Sequence, residues 1–370
     1  MNIPEGKKIR LVITGGGTGG HLFPGVAVAE AILAERPGSA VLFIGTDRQV
    51  DSRVLGNRPF ASTAIKCQGL KGQSFSQRLA SLWQLPLAVW NSRKVLQEFR
   101  PDLVLGVGGY VTGPVVAAAW LGGIPTCIHE QNSVPGMANR WLGKIASRIF
   151  ISLPGSEKYF PVSRTILTGN PVRAEILAAG KVARPETDAA GVTLLVLGGS
   201  QGAHRLNQLV LEGLVARKGE LPPNFRVIHQ TGRLDEALVR EGYQENGISA
   251  RVSAFFDDMA GLYGQADLLV SRAGATSLAE LCVMGRPAIL LPYPYAADNH
   301  QEFNARQVVD RGGALLFKEA DLTAETLAGE IVGLLGDGAR LQRMGTRARE
   351  AAFPEATANI VRECLALINA

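Results

Sequence analysis

Residues 13–25 read ITGGGTGGHLFPG: the end of an apolar run, a glycine-rich turn and the start of a helical segment. Gly15, Gly17 and Gly20 match the spacing G-x-G-x-x-G, in which glycines let the backbone approach a pyrophosphate at a helix N-terminus. The spacing is typical of a doubly wound α/β domain. A nucleotide-binding turn has no general need for an imidazole, so His21 is either a capping or packing residue or a participant in chemistry.

Short apolar runs alternate with segments of helical length, and the pattern occurs twice. The predicted strands are residues 9–14, 40–45, 101–107, 124–130 and 148–152, followed by 192–199, 225–232, 250–256, 266–271, 287–293 and 313–317. The segment TGNPVR separates the two sets, and residues 340–369 predict a helix broken at Pro354. The sequence therefore predicts two doubly wound, Rossmann-like α/β domains facing a cleft, because such sheets bind ligands at the carboxyl ends of their strands.

Size and composition indicate a globular protein with more than one domain. The chain has 370 residues, 46% of them apolar and 19% charged, which argues against disorder. Its four cysteines are far apart and form no C-x-x-C pair, which argues against a zinc site or a disulfide framework and fits a reducing cytoplasm. The net charge of +5 does not indicate a nucleic-acid partner without a basic stripe, so we expect none. Anionic ligands and an anionic membrane surface remain open.

Two apolar stretches resemble membrane segments, but neither is predicted to be one. The run near the N-terminus ends at glycines after a few residues and has no cleavage region, so it is interpreted as the first strand. Residues 111–128 approach the length of a membrane span, but two prolines and a glycine pair divide them. A buried helix followed by a strand is the better interpretation.

Two further glycine loops follow predicted strands. The loop LGGSQGA offers Ser200 and several backbone N–H groups at a helix N-terminus, a good anion site, and GVGGYVTGP follows an apolar strand of the first half. Each could be a tight turn without a ligand. Three such loops at the cleft favour a site where two phosphorylated ligands meet.

Polar clusters lie at the same ends of the predicted strands. HEQNSVPG places an imidazole, a carboxylate and amides directly after a strand, where a satisfied polar cluster is the alternative interpretation. SRAGATSLAE opens a helix, and Glu280 lies one turn beyond Thr276 and Ser277. The helix N-terminus can hold a phosphate while the carboxylate accepts two sugar hydroxyls. DNHQEFNA adds amides and His300, groups suited to sugar hydroxyls.

In order and over nearly the whole chain, eight motifs resemble the MurG family, the bacterial N-acetylglucosaminyltransferases that convert lipid I to lipid II in peptidoglycan synthesis. The motifs are GGTGGH, GVGGYVTGP, HEQN, GNPVR, GGSQGA, FFDDM, RAGA and DNHQ. The resemblance implies a two-domain glycosyltransferase of the GT-B type. It assigns the lipid-linked acceptor and membrane docking to residues 1–168, UDP-N-acetylglucosamine mainly to residues 169–345, and a helical segment that packs back toward the N-terminal domain to residues 346–370.

The resemblance also implies the site residues. Those for UDP-N-acetylglucosamine are Thr18, Gly19, Gly20, Asn132, Arg173, Ser200, Phe256, Gly274, Ala275, Thr276, Ser277, Leu278, Ala279, Glu280 and Gln301. Those for the undecaprenyl-diphosphate-linked muropeptide (lipid I) are Gly17, Gly108, Gly109 and Tyr110. From the residues themselves we predict His21 as the general base, because an imidazole titrates near neutral pH and a helix N-terminus disfavours its charged form. Glu130 is the competing base, or the group that orients the hydroxyl or the histidine. No cofactor is expected.

No Asp-x-Asp pair, which commonly holds a metal on the diphosphate of a sugar nucleotide, occurs in the chain. We therefore expect no metal requirement, with the departing UDP stabilised by helix N-termini, backbone N–H groups and Arg173. The acceptor C4 hydroxyl then attacks the anomeric carbon and inverts its configuration, which needs one base.

A membrane contact is predicted in residues 70–99, where tryptophan and leucine residues, among them Trp83 and Trp90, mix with Arg78 and Lys94. A buried amphipathic helix is the alternative interpretation. Docking to the anionic inner leaflet, as a peripheral protein on the cytoplasmic face of the cell membrane, agrees with an acceptor that carries an undecaprenyl chain.

Three other functions remain in view. A UDP-N-acetylglucosamine 2-epimerase, or another UDP-sugar transferase, shares the architecture and donor, but an epimerase needs carboxylates that move protons and no lipid-facing surface. An NAD-dependent oxidoreductase accounts for the first loop only. A non-catalytic binding module would leave His21 and the HEQN cluster without a role.

Overall fold

The computed structural model describes residues 8–46, 51, 54–56, 58–65, 75–182, 191–199 and 202–369, with the backbone only for 75–84. The chain forms two compact units. Unit 1 comprises Met1–Arg173 and Phe353–Ala370, and unit 2 comprises Ala174–Ala352. The chain therefore passes from one unit to the other a few residues later than the boundaries at 168 and 345 drawn from the sequence.

The elements of the described residues are numbered in chain order. The strands are β1 (Arg10–Thr14), β2 (Ala40–Gly45), β3 (Ala61–Ala64), β4 (Leu103–Gly106), β5 (Thr126–Glu130), β6 (Arg148–Ile151), β7 (Thr165–Leu167), β8 (Thr193–Leu197), β9 (Arg226–Gln230), β10 (Ala250–Ser253), β11 (Leu268–Ser271), β12 (Ala288–Leu290) and β13 (Ala314–Leu316). The α-helices are α1 (Gly19–Glu35), α2 (Phe75–Phe99), α3 (Thr112–Leu121), α4 (Met137–Leu142), α5 (Ala174–Lys181), α6 (His204–Ala216), α7 (Glu236–Glu245), α8 (Met259–Gln265), α9 (Ala275–Met284), α10 (His300–Val309), α11 (Ala324–Leu335), α12 (Gly338–Glu350) and α13 (Ala356–Ile368).

The sheet of unit 1 is parallel, and its strand order in the described residues is β3-β2-β1-β4-β5-β6-β7. β1 pairs with β2 on one side and β4 on the other, with Val12 opposite both Leu42 and Val104. The strand order therefore reverses at β1. Loops that leave the carboxyl ends of β1 and β4 diverge at this point, which is where open α/β sheets bind ligands.

Side chains of β1 alternate between two cores, as expected for a sheet with helices on both faces. Leu11 and Ile13 join a buried cluster with residues of α1 and α13, including Ile360 and Leu365. Val12 points to the other face, into a second cluster with residues of α2 and α3. The last helix of the chain is therefore part of the core of unit 1.

The sheet of unit 2 is also parallel, with the order β10-β9-β8-β11-β12-β13 in the part of the chain that the structure describes. Leu194 and Val196 on β8 join a buried cluster with residues of α6 and α11. Gly213 permits these two helices to pack closely, because a Cβ atom there would lie 2.4 Å from the Ala324 carbonyl oxygen. The order reverses at β8, which β9 and β11 flank, so loops leaving β8 and β11 open the candidate donor site of this unit.

The predicted fold class of two doubly wound α/β domains is confirmed. Each of the apolar runs predicted as a strand contains one, and the predicted C-terminal helix is interrupted around Pro354, between α12 and α13. The sequence prediction missed β3 and β7, which lie at the two edges of the first sheet. Both are short, and neither has an apolar run of the kind that marks the buried strands.

Candidate functional site

In unit 1 the first and third glycine loops pack directly on each other. Gly109 has φ +88°, and a Cβ atom there would lie 2.6 Å from the Gly16 carbonyl oxygen. The Gly17 N–H donates to Asp51 Oδ1 over 2.9 Å, and Thr46 donates to Asp51 Oδ2 from both its backbone N–H and its hydroxyl. The buried Asp51 carboxylate therefore anchors the first loop. Sequence reasoning missed this residue.

His21 stands in the first turn of α1, half-buried, against the backbone of the third glycine loop. Gly108 has φ +97°, and a Cβ atom there would lie 2.6 Å from His21 Nδ1, so glycine makes room for the imidazole ring. Nδ1 lies 3.2 Å from Gln131 Oε1. Burial lowers the pKa of His21 from its ordinary 6.5, although bonds to Gln131 and the Val107 backbone oppose this effect. The imidazole is consequently neutral near neutral pH.

The HEQN segment follows β5 and forms a buried polar network. Gln131 Nε2 donates to the Val107 carbonyl over 2.8 Å and lies 3.0 Å from His129 Nδ1. His129 Nε2 lies 3.0 Å from Ser152 Oγ and 3.3 Å from the Gly169 carbonyl oxygen. Burial lowers the pKa of His129 to about 4, so this ring is also neutral. Two neutral histidines therefore lie on either side of one buried amide.

Glu130 is buried, and its carboxylate accepts four hydrogen bonds. Oε1 accepts from the backbone and side-chain nitrogens of Asn132, and Oε2 accepts from Gly136 N and Asn139 Nδ2, over 2.8–3.2 Å. A carboxylate has about four acceptor sites, so these bonds occupy them. Burial raises the pKa of Glu130, and the four bonds oppose that shift. The carboxylate holds the turn between β5 and α4.

The remaining predicted residues of unit 1 lie around these loops. Thr18 is the N-cap of α1, and Gly19 and Gly20 are its first residues. Tyr110, within the third loop, is 45% exposed. Arg173 is buried, with its guanidinium carbon 4.5 Å from the centroid of the Phe23 ring. The structure therefore places Arg173 in unit 1, on a side chain of α1.

In unit 2 the turn after β11 leads into α9, with Gly274 as the N-cap. Glu280 is buried on this helix, and the Tyr263 hydroxyl donates to its Oε2 over 3.1 Å. Thr276 and Leu278 are buried as well, whereas Ser277 is half-buried. Ala275 and Leu278 belong to the packed side of the helix, and the half-buried residues at its start are Gly274, Ser277 and Ala279.

Gln230 connects two other predicted parts of the donor site. Its Nε2 donates to the Gly199 carbonyl over 3.3 Å, and its Oε1 accepts from the Phe256 backbone N–H over 3.1 Å. Phe256 is buried, with the Arg251 guanidinium 4.9 Å from its ring centroid. Ser200 lies outside the described residues, and the described residue beside it is Gly199.

Gln301 organises the loop after β12. Its Oε1 accepts from the Tyr293 backbone N–H over 2.9 Å. Within the loop Asp298 and Asn299 have φ of about +50° and close a tight turn onto α10. His300 Nδ1 donates to the Ala297 carbonyl over 2.8 Å, so its ring is tied to the same turn.

Comparison with known proteins identifies the family. The Glycosyltransferase family 28 N-terminal domain matches residues 11–151, and the family 28 C-terminal domain matches residues 193–360. A relative from Desulfotalea psychrophila is 49% identical over 365 residues, which is 99% of this chain and 98% of the relative. That relative is the UDP-N-acetylglucosamine--N-acetylmuramyl-(pentapeptide) pyrophosphoryl-undecaprenol N-acetylglucosamine transferase. The chain belongs to this transferase family.

Other members and solved structures agree. The transferase of the same name from Myxococcus xanthus is 43% identical over 97% of this chain and 93% of its own length. The crystal structure of Acinetobacter baumannii MurG matches with a TM-score of 0.75 and 29% identity, over 96% of this chain and 99% of that one. UDP-GlcNAc 2-epimerase from Neisseria meningitidis matches with a TM-score of 0.67 but only 17% identity, over 97% of this chain and 100% of that one, which shows a shared fold alone. The predicted resemblance and GT-B architecture are confirmed.

Membership in this family leaves the residue roles as predictions. The structure brings His21, Gly108, Gly109 and the HEQN segment together in unit 1, and it brings Gly274 and Glu280 together on one helix in unit 2. Sequence reasoning missed Asp51, Gln230 and Tyr263, which hold the loops or Glu280 from positions distant in sequence. HEQN contained Gln131, but the sequence offered no signal for its contact with His21.

Proposed function

We propose that this chain transfers N-acetylglucosamine from UDP-N-acetylglucosamine to the C4 hydroxyl of the muramyl residue in an undecaprenyl-diphosphate-linked muropeptide, with inversion at the anomeric carbon. The observation that carries the proposal is the 49% identity to a transferase of that name over 99% of the chain. The site geometry supports it, because unit 1 presents a neutral imidazole and unit 2 presents a helix N-terminus beside a buried carboxylate.

In the proposed site, the donor binds to unit 2 through α9. The N–H groups that begin this helix face no acidic residue of its own first turn, so they favour a diphosphate. Glu280 accepts the ribose hydroxyls beside the Tyr263 phenol, because a carboxylate one turn inside the helix can accept from hydroxyl groups. Ser200 and Gln301 belong to the same donor site, and Arg173 contributes positive charge toward the departing UDP.

His21 is the proposed general base, acting through Nε2. The acceptor hydroxyl gives its proton to Nε2 as its oxygen forms a bond to C1 of N-acetylglucosamine. The bond between C1 and the β-phosphate oxygen breaks, and UDP leaves with the electron pair. The four hydrogen bonds at Glu130 favour His21 over Glu130, because a base needs an accessible lone pair. Glu130 then orients the HEQN turn.

The membrane contact is proposed on three consecutive helices of unit 1, in which α2 packs against α3 and α3 against α4. We call their exposed apolar and adjoining basic residues the aromatic–basic surface: Leu87, Trp90, Arg93, Lys94, Trp120, Leu121, Met137, Arg140, Trp141 and Lys144. Lys94 Nζ lies 3.5 Å from the Trp90 ring centroid, and Lys144 Nζ lies 4.3 Å from that of Trp141. Tryptophan beside lysine suits the interface of an anionic leaflet.

This surface extends the segment predicted from the sequence. The structure does not describe the side chains of Trp83 and Arg78. It does describe Trp90 on the same helix, which is 53% exposed. Among the described residues, no helix is both long and apolar enough to cross a bilayer. The aromatic–basic surface and the undecaprenyl chain of the acceptor support the proposed localisation, a peripheral one on the cytoplasmic face of the cell membrane.

The test is a purified-protein assay with UDP-N-acetylglucosamine and a water-soluble, short-chain analogue of the acceptor. We expect UDP release and a β-linked disaccharide product only when the acceptor is present. Formation of the 2-epimer in reactions without acceptor would identify an epimerase instead. No turnover in either reaction, with intact donor binding, would support a binding module.

A further inference from the structure

The amide of Gln131 can adopt only one orientation in its buried position. One side of the amide lies 2.8 Å from the Val107 carbonyl oxygen, which accepts hydrogen bonds and cannot donate. The NH₂ group must therefore face Val107, because a flipped amide would place two carbonyl oxygens against each other. Its second hydrogen points to His129 Nδ1 at 3.0 Å. Oε1 is then left facing His21.

This orientation determines the proton positions on both histidines. His129 Nδ1 accepts from the amide, so the neutral ring carries its proton on Nε2, next to the Ser152 hydroxyl and the Gly169 carbonyl. His21 Nδ1 lies 3.2 Å from Gln131 Oε1, an oxygen that accepts hydrogen bonds and cannot donate. In a neutral ring Nδ1 must then hold the hydrogen, and Nε2 has the lone pair.

We propose that Gln131 is a positioning residue that fixes His21 in the Nδ1–H tautomer and thereby presents Nε2 as the basic atom. The proposal rests on the assignment of His21 as the base. With the hydrogen on Nδ1, the lone pair of the neutral ring is on Nε2, where it can accept the proton of an acceptor hydroxyl. The mechanism needs this tautomer, because a ring protonated at Nε2 cannot accept a proton there.

A neutral amide suits this role for a physical reason. A carboxylate in the place of Gln131 would stabilise the imidazolium and bring a negative charge next to the Val107 carbonyl and His129. The amide fixes the ring with a single bond and adds no net charge. It also connects His21 to β6 through His129 and Ser152, so the tautomer depends on a network built from three separate segments.

The test combines ¹⁵N NMR of the histidine side chains with steady-state kinetics. The chain has five histidines, and the signals of His21 are assigned by their loss in His21→Ala. In the wild-type protein we expect a protonated Nδ1 and an unprotonated Nε2. A ring with the hydrogen on Nε2 would overturn the proposal in this spectrum alone, without any substitution at Gln131.

Gln131→Met keeps the length of the side chain and removes both the acceptor and the donors. We expect the Nε2–H tautomer of His21 to become populated and kcat to fall by about 10- to 100-fold, as for loss of a hydrogen bond to a buried group. The KM for UDP-N-acetylglucosamine should not change. The double variant with His21→Ala should be no slower than His21→Ala, since Gln131 acts through that ring.

Gln230→Met is the matched control, because Gln230 is also a buried glutamine at the end of a strand, in unit 2. It should leave the His21 tautomer unchanged. An unchanged tautomer in folded Gln131→Met would overturn the proposal. Near-normal turnover of His21→Ala would refute the base assignment and with it the catalytic part of this inference. If the His21 tautomer still depended on Gln131 in that case, the contact between the two residues would stand.

Discussion

The hydroxyl of Tyr263, on α8, donates a hydrogen bond of 3.1 Å to Oε2 of Glu280, on α9. Both side chains are buried, so the phenol sets the direction of the carboxylate. Glu280→Ala should weaken UDP binding by about 1.5–3 kcal/mol, the range for a hydrogen bond to a charged group. Tyr263→Phe should cost less, because the carboxylate remains.

Calorimetric titration with UDP measures both effects. Glu325→Ala, which removes an exposed carboxylate elsewhere in unit 2, is the control and should bind UDP normally. Thermal melts identify any loss that is due to unfolding. An unchanged UDP affinity in folded Glu280→Ala would remove this residue from the donor site.

His21→Ala should lower kcat by about 10²–10⁴-fold, the usual contribution of a positioned general base. UDP-sugar binding should change little, since the proposed donor contacts of α9 lie in unit 2 and His21 is not among the predicted donor residues. The measurement is steady-state turnover with a soluble acceptor, together with a donor titration. Near-normal turnover, with a collapse in Glu130→Ala, would assign the base to Glu130.

The pH dependence of kcat should have an acidic limb that belongs to His21. The imidazolium cannot accept a proton, so kcat decreases as pH falls through the pKa of His21. Burial lowers this pKa, so the limb should lie below 6.5. Burial lowers the pKa of His129 to about 4 and raises the pKa of Glu130. A limb above pH 6.5 would contradict the assignment.

Gly108→Ala should displace His21. The new Cβ atom would lie 2.6 Å from Nδ1, and the residue would keep a φ of +97° at a cost of about 1–3 kcal/mol. We expect lower kcat with unchanged donor affinity. Gly113→Ala, five residues further along the chain, meets no atom within 4 Å of its Cβ and should remain active. Equal activity of Gly108→Ala and Gly113→Ala would show that displacing the His21 ring does not affect turnover.

The double variant Trp90→Glu with Lys94→Glu should reduce cosedimentation with vesicles that contain anionic phosphatidylglycerol. The change places negative charge on the aromatic–basic surface, where Lys94 lies over the Trp90 ring. Turnover of a soluble acceptor should persist. The control is the double variant Leu234→Glu with Lys218→Glu, which makes the same change of charge in unit 2, where Leu234 is 96% exposed. Unchanged vesicle binding of the first variant would exclude this surface.

Buried strands were predictable because a parallel sheet covered on both faces needs near-continuous apolar runs, as in β1 and β8. The edge strand β3, with the sequence ASTA, has no such run because most of its residues are exposed. The positions of the glycine loops at strand ends and of Glu280 on the helix after β11 were also predictable, since their spacing relative to a strand or a helix start has a local physical meaning. Their roles remain predictions.

The supporting residues were not predictable because their contacts join distant parts of the chain. Gln131 reaches His21 across 110 positions, and Asp51 reaches Gly17 across 34. A buried amide or carboxylate carries no local pattern that names its partner. The partners of Glu130 are all within nine positions of it, but its saturation by four donors depends on the exact turn that these residues form.

The placement of α13 in the core of unit 1 has a consequence for biosynthesis. The ribosome completes all of residues 174–352 before it makes the helix that supplies Ile360, Val361, Cys364 and Leu365 to that core. Nascent unit 1 therefore exposes part of the apolar face of α1 throughout this period, while unit 2 is one continuous segment and can fold first. Unit 2 can therefore complete its core before unit 1 does, and the apolar surface of α1 that waits for α13 is one that a chaperone can cover during synthesis.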